Sequence, residues 1–345
     1  MRFLLTGHTG FKGSWLTLWL TSQGHEVYGL SLDPEPGSLF EIANITDACS
    51  VDQRGDIRDL EIVKVAVKNA KPDVVVHMAA QPLVLDSYKR PRWTMETNVM
   101  GTLNVLEAVG LQKNVNGLLV VTTDKVYRNL NQRKGYLETD PLGGNDPYSA
   151  SKAMADILTQ SWATSFPGTK TAVARAGNVI GGGDVSPDRL FPDIVESLRS
   201  GTTPVLRHPE AVRPWQHVLD CLNGYRTLID KLVAEADDLD VEGGWNFGPN
   251  SDSFVSVGEI TSKALTHWGS SVSWEKASDE KFHEAQLLSL DSTRAKKELG
   301  WSNFLDVDTA LAWTLDWYRG LDSGLLPREI TMRQIETFQQ QISRI

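Results

Sequence analysis

The 345-residue sequence predicts an α/β protein, a doubly wound parallel sheet covered by helices on both faces, with a smaller C-terminal lobe. Three observations carry this. Short runs rich in Val, Leu and Ile alternate with segments of helical length through the first half, the pattern of strands buried on both faces. The first run ends in a glycine-rich turn that opens a helix. After Ala176 the rhythm breaks, and the segments become shorter and richer in Trp and Pro.

Strands are expected at Arg2–Thr6, Glu26–Ser31, Asp73–His77, Gly117–Thr122 and Thr171–Ala176. Helices are expected at Lys12–Gln23, Asp59–Asn69, Arg92–Val109 and Tyr148–Phe166. Right-handed crossovers between parallel strands wind such a chain into an open sheet. The glycine-rich loop Gly177 to Asp184 then leads into the second lobe, and a helix around Val218–Val233 is placed to return to the first.

The turn after the first run reads Gly7-His8-Thr9-Gly10-Phe11-Lys12-Gly13. Glycines here permit a tight turn and close backbone approach, and the helix N-terminus offers free N–H groups and a positive dipole to a pyrophosphate. Between a strand and a helix this pattern points to a Rossmann-like dinucleotide site, with Gly7, Thr9, Gly10, Phe11, Lys12 and Gly13 around the phosphates. Asp33 closes the second strand twenty residues beyond Gly13. A carboxylate there accepts from ribose hydroxyls and repels a 2′-phosphate, which favours NAD over NADP. Asp56 and Ile57 are candidates to flank the adenine. Ala79, Ala80 and Gln81 end the fourth strand, where small side chains let the backbone pass close to a cofactor. On this reading residues 1–177, with a return around 212–240, form the NAD-binding domain, and 178–345 form a substrate-binding lobe.

Tyr148 and Lys152 stand at i and i+4, one above the other on a helix face, with Pro147 suited to its first turn. A tyrosine that works as a base must ionise about three units below its free value near 10, which takes about 4 kcal/mol. One ammonium about 4 Å away supplies about that much at an effective dielectric near 20. Just upstream, Thr123, Asp124 and Lys125 follow a strand whose carboxyl end should line the ligand crevice.

These residues resemble the extended short-chain dehydrogenase/reductases that act on nucleotide sugars. The matching stretches include GHTGFKGSWLTLWL (7–20), HMAAQPLV (77–84), TTDKVY (122–127), DPYSASKA (146–153), RAGNVIGGGD (175–184) and RPWQHVLD (213–220), and they cover almost the whole chain. Within the family the resemblance is to the 4,6-dehydratases. The Asp124-Lys125 pair points to the branch that takes CDP-glucose, since the dTDP-glucose branch carries Glu after the Asp.

The resemblance implies a homodimer through first-lobe helices, NAD as cofactor, and an internal redox elimination. Tyr148 takes the C4 hydroxyl proton, Thr123 holds that hydroxyl, and Asp124 protonates the departing C6 oxygen. Lys125 is either a neutral base at C5 or a charge that stabilises the enolate. Thr122 and Asn98 fall on the cofactor side, and Asn98 matches the helix asparagine that supports the active-site backbone. Asn178, Arg189, Leu190, Arg213, Trp215, Gln216 and His283 fall on the nucleotide-sugar side, the two arginines as bidentate phosphate clamps. As bare residues most of these read equally well as structural. Two departures bear on the sugar nucleotide: Leu85-Asp86 replaces the family's Arg-Leu, and Val185 replaces a Trp.

Composition excludes several other classes. A net charge of −10 with mixed signs gives no basic cluster to neutralise nucleic-acid phosphates. Cys49 and Cys221 are the only cysteines, too few for a disulfide framework or a cysteine metal site. No apolar run approaches the roughly 20 residues that span a bilayer, and the opening lacks a secretory pattern, so a cytoplasmic chain is expected. A 4-epimerase or a simple dehydrogenase on the same scaffold needs no acid for a C6 leaving group. A non-catalytic cofactor sensor has no need of Tyr148 and Lys152 together.

Overall fold

The computed structural model describes residues 1–132, 134–234, 241–250, 253–278 and 288–344. The first half runs β1 (Arg2–Thr6), α1 (Phe11–Ser22), β2 (Glu26–Ser31), α2 (Leu39–Ile42), β3 (Val51–Arg54), α3 (Leu60–Ala70), β4 (Val74–His77), α4 (Val84–Lys89), α5 (Pro91–Met95), α6 (Gly101–Gly110), β5 (Gly117–Val121), α7 (Pro147–Ser165) and β6 (Lys170–Ala176). Next come β7 (Val179–Ile180), α8 (Leu190–Ser200), β8 (Val205–Leu206), β9 (Val212–Pro214), β10 (Gln216–His217) and α9 (Val218–Val233). The chain ends with β11 (Gly243–Phe247), β12 (Phe254–Ser256), α10 (Val257–Trp268), β13 (Glu275–Lys276), α11 (Val307–Asp322) and α12 (Pro327–Ile342).

Seven of these strands form one parallel sheet in the order β11-β6-β5-β4-β1-β2-β3, the doubly wound architecture the sequence predicts. The order reverses between β1 and β4, so a crevice opens at the carboxyl ends of those strands. Central strands β4 and β5 are buried at every residue, which is why they read as unbroken apolar runs. α9 returns to pack on β5 and β6, and β11 extends the sheet edge, so chain beyond residue 177 builds part of the first lobe as well as the second. The remaining short strands pair as β10–β7, β12–β9 and β13–β8.

Helix ends follow local chemistry. The Asp59 side chain caps α3 by accepting from the N–H groups of Glu61 and Ile62, so the helix starts at Leu60. Asp146 caps α7 through the N–H of Ser149, and Pro147 occupies the first turn. The single helix expected over Arg92–Val109 is instead α5 and α6 joined by a π-turn, Glu96–Met100. The wider turn sets Asn98 inward, against α7.

α1 is buried at eight consecutive residues, Gly13 to Leu20, and so lacks a polar face. A helix apolar all round needs cover on every side, and α12 supplies the last of it. Phe338 meets Trp19 edge to face at 5.7 Å, while Trp317 Nε1 of α11 donates to Thr331 Oγ1 of α12 at 2.9 Å. The C-terminal stretch, for which the sequence offers no function, is therefore the lid of the core. Among the described residues no helix is long and apolar enough to cross a membrane, and no group of His, Cys, Asp and Glu could hold a metal.

Asp220, in the first turn of α9, ties down the loop before α11: Oδ1 accepts from Phe304 N at 2.7 Å and Oδ2 from Leu305 N at 3.0 Å. Burial pushes its carboxyl up to about 7, against those two N–H groups that favour the ionised form. Between pH 4 and 7 the folded chain then holds this proton while the unfolded chain has released it, so the contribution to stability shrinks as pH rises. Relative to Asp220→Asn, the wild-type chain should lose up to about 1.4 kcal/mol per pH unit across that window and no more above it. Urea midpoints of the two proteins at four pH values measure this; a pH-independent difference would mean that Asp220 is ionised throughout.

Candidate active site

The turn after β1 is shaped by contacts that leave no room for side chains. Gly7 has φ +78°, and a Cβ there would lie 2.7 Å from Ala79 N at the end of β4. A Cβ on Gly13 would lie 2.2 Å from Gly7 O. Gly10 occupies the N-cap of α1 with no side-chain cap, so the first N–H groups of that helix are free to meet an anion. Thr9 is committed to the protein: its hydroxyl meets Ser31 Oγ at 2.7 Å and donates to Leu32 O at 3.2 Å, fastening the turn to β2. This is a cradle for a dinucleotide pyrophosphate, tight at the glycines and open at the helix end.

Asp33 stands exposed past β2, its carboxylate 3.7 Å from Arg54 Nε. Arg54 also donates to Asp52 Oδ2 at 2.7 Å and lies over the Phe40 ring. An exposed carboxylate with a guanidinium beside it thus stands at the end of β2. Asp56 is engaged by the Arg58 side chain, and the Ile57 side chain is core, against Gly101 of α6. Asn98 is buried and fully occupied: Oδ1 accepts from Gln81 N at 2.7 Å, while Nδ2 donates to Gln81 O and Ser151 Oγ. The side chain of Gln81 closes its own turn on Leu83. Both were expected on the cofactor side, Asn98 as a support of the active-site backbone, and Asn98 holds the backbone after β4 to the helix that carries Tyr148, with Ala79 and Ala80 in that backbone.

The expected catalytic residues converge at the carboxyl end of β5. Thr123 Oγ1 donates to Asp124 Oδ1 at 2.9 Å, and Tyr148 hydrogen-bonds to the same threonine. Asp124 is buried, its Oδ2 has no hydrogen-bond partner, and burial raises its carboxyl above the usual range against the opposing charges of Lys125, Arg213 and Lys12. Thr122 borders the same cavity, while its hydroxyl donates to Asp156 Oδ2 at 3.1 Å.

The expected pairing of Lys152 with Tyr148 is not made by a direct hydrogen bond. Its Nζ donates to Val121 O at 2.8 Å, and burial together with the nearby Lys12 lowers it to about 8. The phenol is pushed up to about 12 by burial, and the cation that counteracts this is Arg189. Helical i, i+4 spacing sets both side chains over the strand ends, but the long lysine chain turns to the backbone carbonyl beneath it.

On the nucleotide-sugar side, Asn178, Arg189, Leu190, Arg213 and Trp215 all line one cavity of about 550 Å³ together with Thr123, Asp124, Lys125, Tyr148, Phe11 and Lys12. Arg189 is paired to Asp184 at 3.0 Å. Trp215 is three-way: its Nε1 donates to Val255 O, its ring meets Phe191 edge to face, and it borders the cavity. Gln216 is corrected. It is fully buried and donates to Phe247 O at 2.9 Å, on the other side of the chain from Trp215, as alternation along an extended segment requires. His283 lies outside the described residues. A second cavity, of about 670 Å³, lies between the ends of α6 and α7 beside Trp162 and Phe166, far from this chemistry.

Three residues passed over in the sequence belong to the site. Ser87 Oγ accepts from Tyr148 N at 3.1 Å, fixing the start of α7. Gly177 lines the cavity, and a Cβ there would meet Asp124. Arg207 lines the same cavity beyond α8. Only the resemblance of the surrounding stretches marked these places; nothing in the residue types alone did.

This arrangement can be set against known proteins. The chain is 42% identical over 334 residues to the CDP-glucose 4,6-dehydratase of Salmonella typhimurium, covering 93% of this chain and 92% of that one. It is 32% identical over 325 residues to a dTDP-glucose 4,6-dehydratase of Streptomyces griseus, covering 91% and 93%. Among solved structures, DesIV of Streptomyces venezuelae, a dTDP-glucose 4,6-dehydratase with NAD bound, superposes with a TM-score of 0.81 at 27% identity, covering 95% of this chain and all of that one. A UDP-glucose 4-epimerase of Thermotoga maritima shares the fold, with a TM-score of 0.81 at 22% identity over 93% and 99%. The family description GDP-mannose 4,6 dehydratase matches residues 4–313. With nine-tenths of the sequence inside that match, and a dinucleotide cradle opening onto one polar cavity, the chain belongs to the GDP-mannose 4,6-dehydratase family.

Proposed function

We infer that this chain is a nucleotide-sugar 4,6-dehydratase that uses NAD and converts CDP-glucose to CDP-4-keto-6-deoxyglucose with loss of water. The observation that carries the reading is Asp124: a buried carboxyl, favoured in its neutral form, with one oxygen that has no hydrogen-bond partner, on a residue that lines the cavity with Tyr148 and Thr123. An epimerase has no leaving group for such an acid to protonate. The 42% identity to the Salmonella enzyme supports the choice of CDP-glucose.

The cradle at Gly7, Gly10 and Gly13 would hold the pyrophosphate, Asp33 and Arg54 the adenosine end, and Tyr148 and Lys152 the nicotinamide end. Bound NAD⁺ supplies the acceptor for the C4 hydride and its return at C6. The chain does the proton work. Tyr148 takes the C4 hydroxyl proton, and Thr123 holds that hydroxyl. The resulting ketone acidifies C5–H, a base takes that proton while its bonding pair forms the C5=C6 bond, and Asp124 delivers its own proton to the C6 oxygen, which leaves as water. Lys125, next in the chain, faces the same cavity. Arg189 and Arg213 would clamp the diphosphate, with Asn178, Leu190 and Trp215 beside them. In this reading residues 178–345 provide most of the nucleotide-sugar side and residues 1–177 the NAD side.

Two finer points belong to the same proposal. A homodimer through α6 and α7 is supported by exposed Met100, Met154 and Ile157 along those helices; light scattering on the purified chain tests it. A cytoplasmic setting follows from where NAD and nucleotide sugars are met.

Incubation with CDP-, dTDP-, GDP- and UDP-glucose, followed by NMR for the 4-keto product, tests the function. Conversion of CDP-glucose is expected. An inverted C4 centre with C6 oxygen retained would establish the epimerase, and no reaction with any of the four would reject the reading. Asp124→Asn is expected to leave C4 oxidation visible as NADH absorbance while slowing water loss by about 10²–10⁴-fold. An unchanged dehydration rate would remove Asp124 from the acid role.

A further inference from the structure

Lys12 stands where the helix it belongs to disfavours it. It is the second residue of α1, whose first turn holds no acidic residue, and the dipole at a helix N-terminus repels a cation. Among the described residues no carboxylate lies within ion-pair distance of its ammonium. What holds it comes from the far half of the chain: Nζ donates to Tyr225 Oη at 3.1 Å and lies 5.4 Å from the centre of that ring. Tyr225, on α9, is fully buried, with its ring edge to face against Phe247 at 6.0 Å. Burial keeps its phenol neutral, so the oxygen accepts from Lys12 without cancelling the charge. Lys12 also lines the cavity together with Thr123, Asp124 and Tyr148. Two groups at that end feel its charge, which favours the ionised form of Asp124 and opposes the protonated form of Lys152. A pyrophosphate does not call for this ammonium, since the free N–H groups at the start of α1 already serve an anion.

We propose that Tyr225 is a positioning residue whose hydroxyl holds the Lys12 ammonium toward the nicotinamide end of the cavity, where that charge favours the reduced, neutral ring over the oxidised, cationic one. The inference rests on the reading above that sets the nicotinamide beside Tyr148 and Lys152. In C4 oxidation the hydride carries two electrons from C4 to the nicotinamide and cancels the positive charge of the ring. The hydroxyl proton goes to Tyr148, and the pair it leaves behind closes the C4=O double bond. A fixed cation nearby repels the ring before this step and not after it. The benefit falls on the step that follows. C5–H is acidic only while the C4 ketone exists, and the ketone exists only while the cofactor is reduced. Favouring NADH therefore lengthens the interval in which water can be lost.

The test is the ratio of two dissociation constants, that of NAD⁺ over that of NADH, read on the full chain freed of nucleotide from NADH fluorescence and its displacement by NAD⁺. Both forms carry the same pyrophosphate, so any contact of Lys12 with it cancels in the ratio. Lys12→Met should lower the ratio about 10-fold, the effect of one unit charge within about 10 Å at an effective dielectric near 20. Lys12→Arg, which restores the charge, should return it towards wild type. Tyr225→Phe keeps the ring and should lower the ratio about 3-fold, with no further effect in the Lys12→Met background. An unchanged ratio in Lys12→Met would overturn the proposal, and an equal weakening of both forms would place Lys12 on the pyrophosphate instead. A Tyr225→Phe effect as large in the double variant as alone would overturn the positioning role. Should urea midpoints show that Tyr225→Phe does not fold, the two Lys12 variants still decide whether the charge acts on the ring. A wild-type chain that binds neither form would remove the NAD reading beneath the proposal.

Discussion

Tyr148→Phe should lower turnover of the nucleotide sugar by about 10²–10⁴-fold while NAD affinity and the unfolding midpoint stay near wild type. The hydroxyl is the only part removed. Thr123 keeps its bond to Asp124, so the structural cost should be below about 1 kcal/mol. The size of the catalytic loss follows from the electrostatics. Burial holds the phenol at about 12, so at pH 7 only about one molecule in 10⁵ is ionised, a handicap of about 7 kcal/mol. Cations around the phenol have to reduce that handicap: Arg189 acts on it directly, Lys12 lines the same cavity, and Lys152 lies close enough to Lys12 to feel its charge. Because the working form is the deprotonated one, kcat/KM of the wild type should climb as pH rises from 6. The climb should flatten above about 8, where Lys152 loses its charge. In Tyr148→Phe that limb should be absent. A residual activity that keeps the same rising limb would place the base on another residue.

The same residues illustrate what the sequence could convey. Local chemistry was legible: the glycines before α1, apolar runs for β4 and β5, and the i, i+4 pair on α7 each follow from contacts within a few residues. Contacts made over long separations were not. Lys152 reads as a partner for Tyr148, but its Nζ goes to Val121, thirty-one residues back. Asn98 reads as a helix-interior amide, and only the π-turn turns it to Gln81 and Ser151. The burial of α1 from Gly13 to Leu20 depends in part on α12, more than three hundred residues later. Gln216 followed Trp215 into the expected sugar contact because a resemblance transfers positions, whereas the facing of a side chain depends on the strand it lies in. Gly177 carried no signal for Asp124 by its residue type, since what matters there is a carboxyl fifty-three positions earlier that a Cβ would meet.

Asp156→Ala should destabilise the chain by about 3–5 kcal/mol, although its carboxylate lies outside the cavity. Arg175 on β6 is fully buried, and Asp156 on α7 receives its Nε and NH2 groups at 2.8 Å each. Arg175 NH1 goes to Tyr127 Oη at 2.7 Å, which in turn donates to Asn246 Oδ1 on β11. Thr122 and Gln160 complete the carboxylate's partners. The pair therefore joins β6, β11, the segment bearing Thr123 and Asp124, and the helix bearing Tyr148 and Lys152. Taking away the anion leaves a buried guanidinium without its ion-pair partner, which costs more than the pair contributes over an apolar substitute. The double variant Asp156→Leu with Arg175→Met should accordingly recover much of the stability lost by the single one, as read from urea midpoints in a double-mutant cycle. Activity should not recover with it. Asp156 also helps hold the proton on Lys152, so losing it lowers that lysine further and brings the alkaline flattening of kcat/KM to lower pH. A single variant within 1 kcal/mol of wild type, against that expectation of about 3–5, or a double variant as unstable as the sum of the two single ones, would mean that this ion pair does not join the site to the sheet.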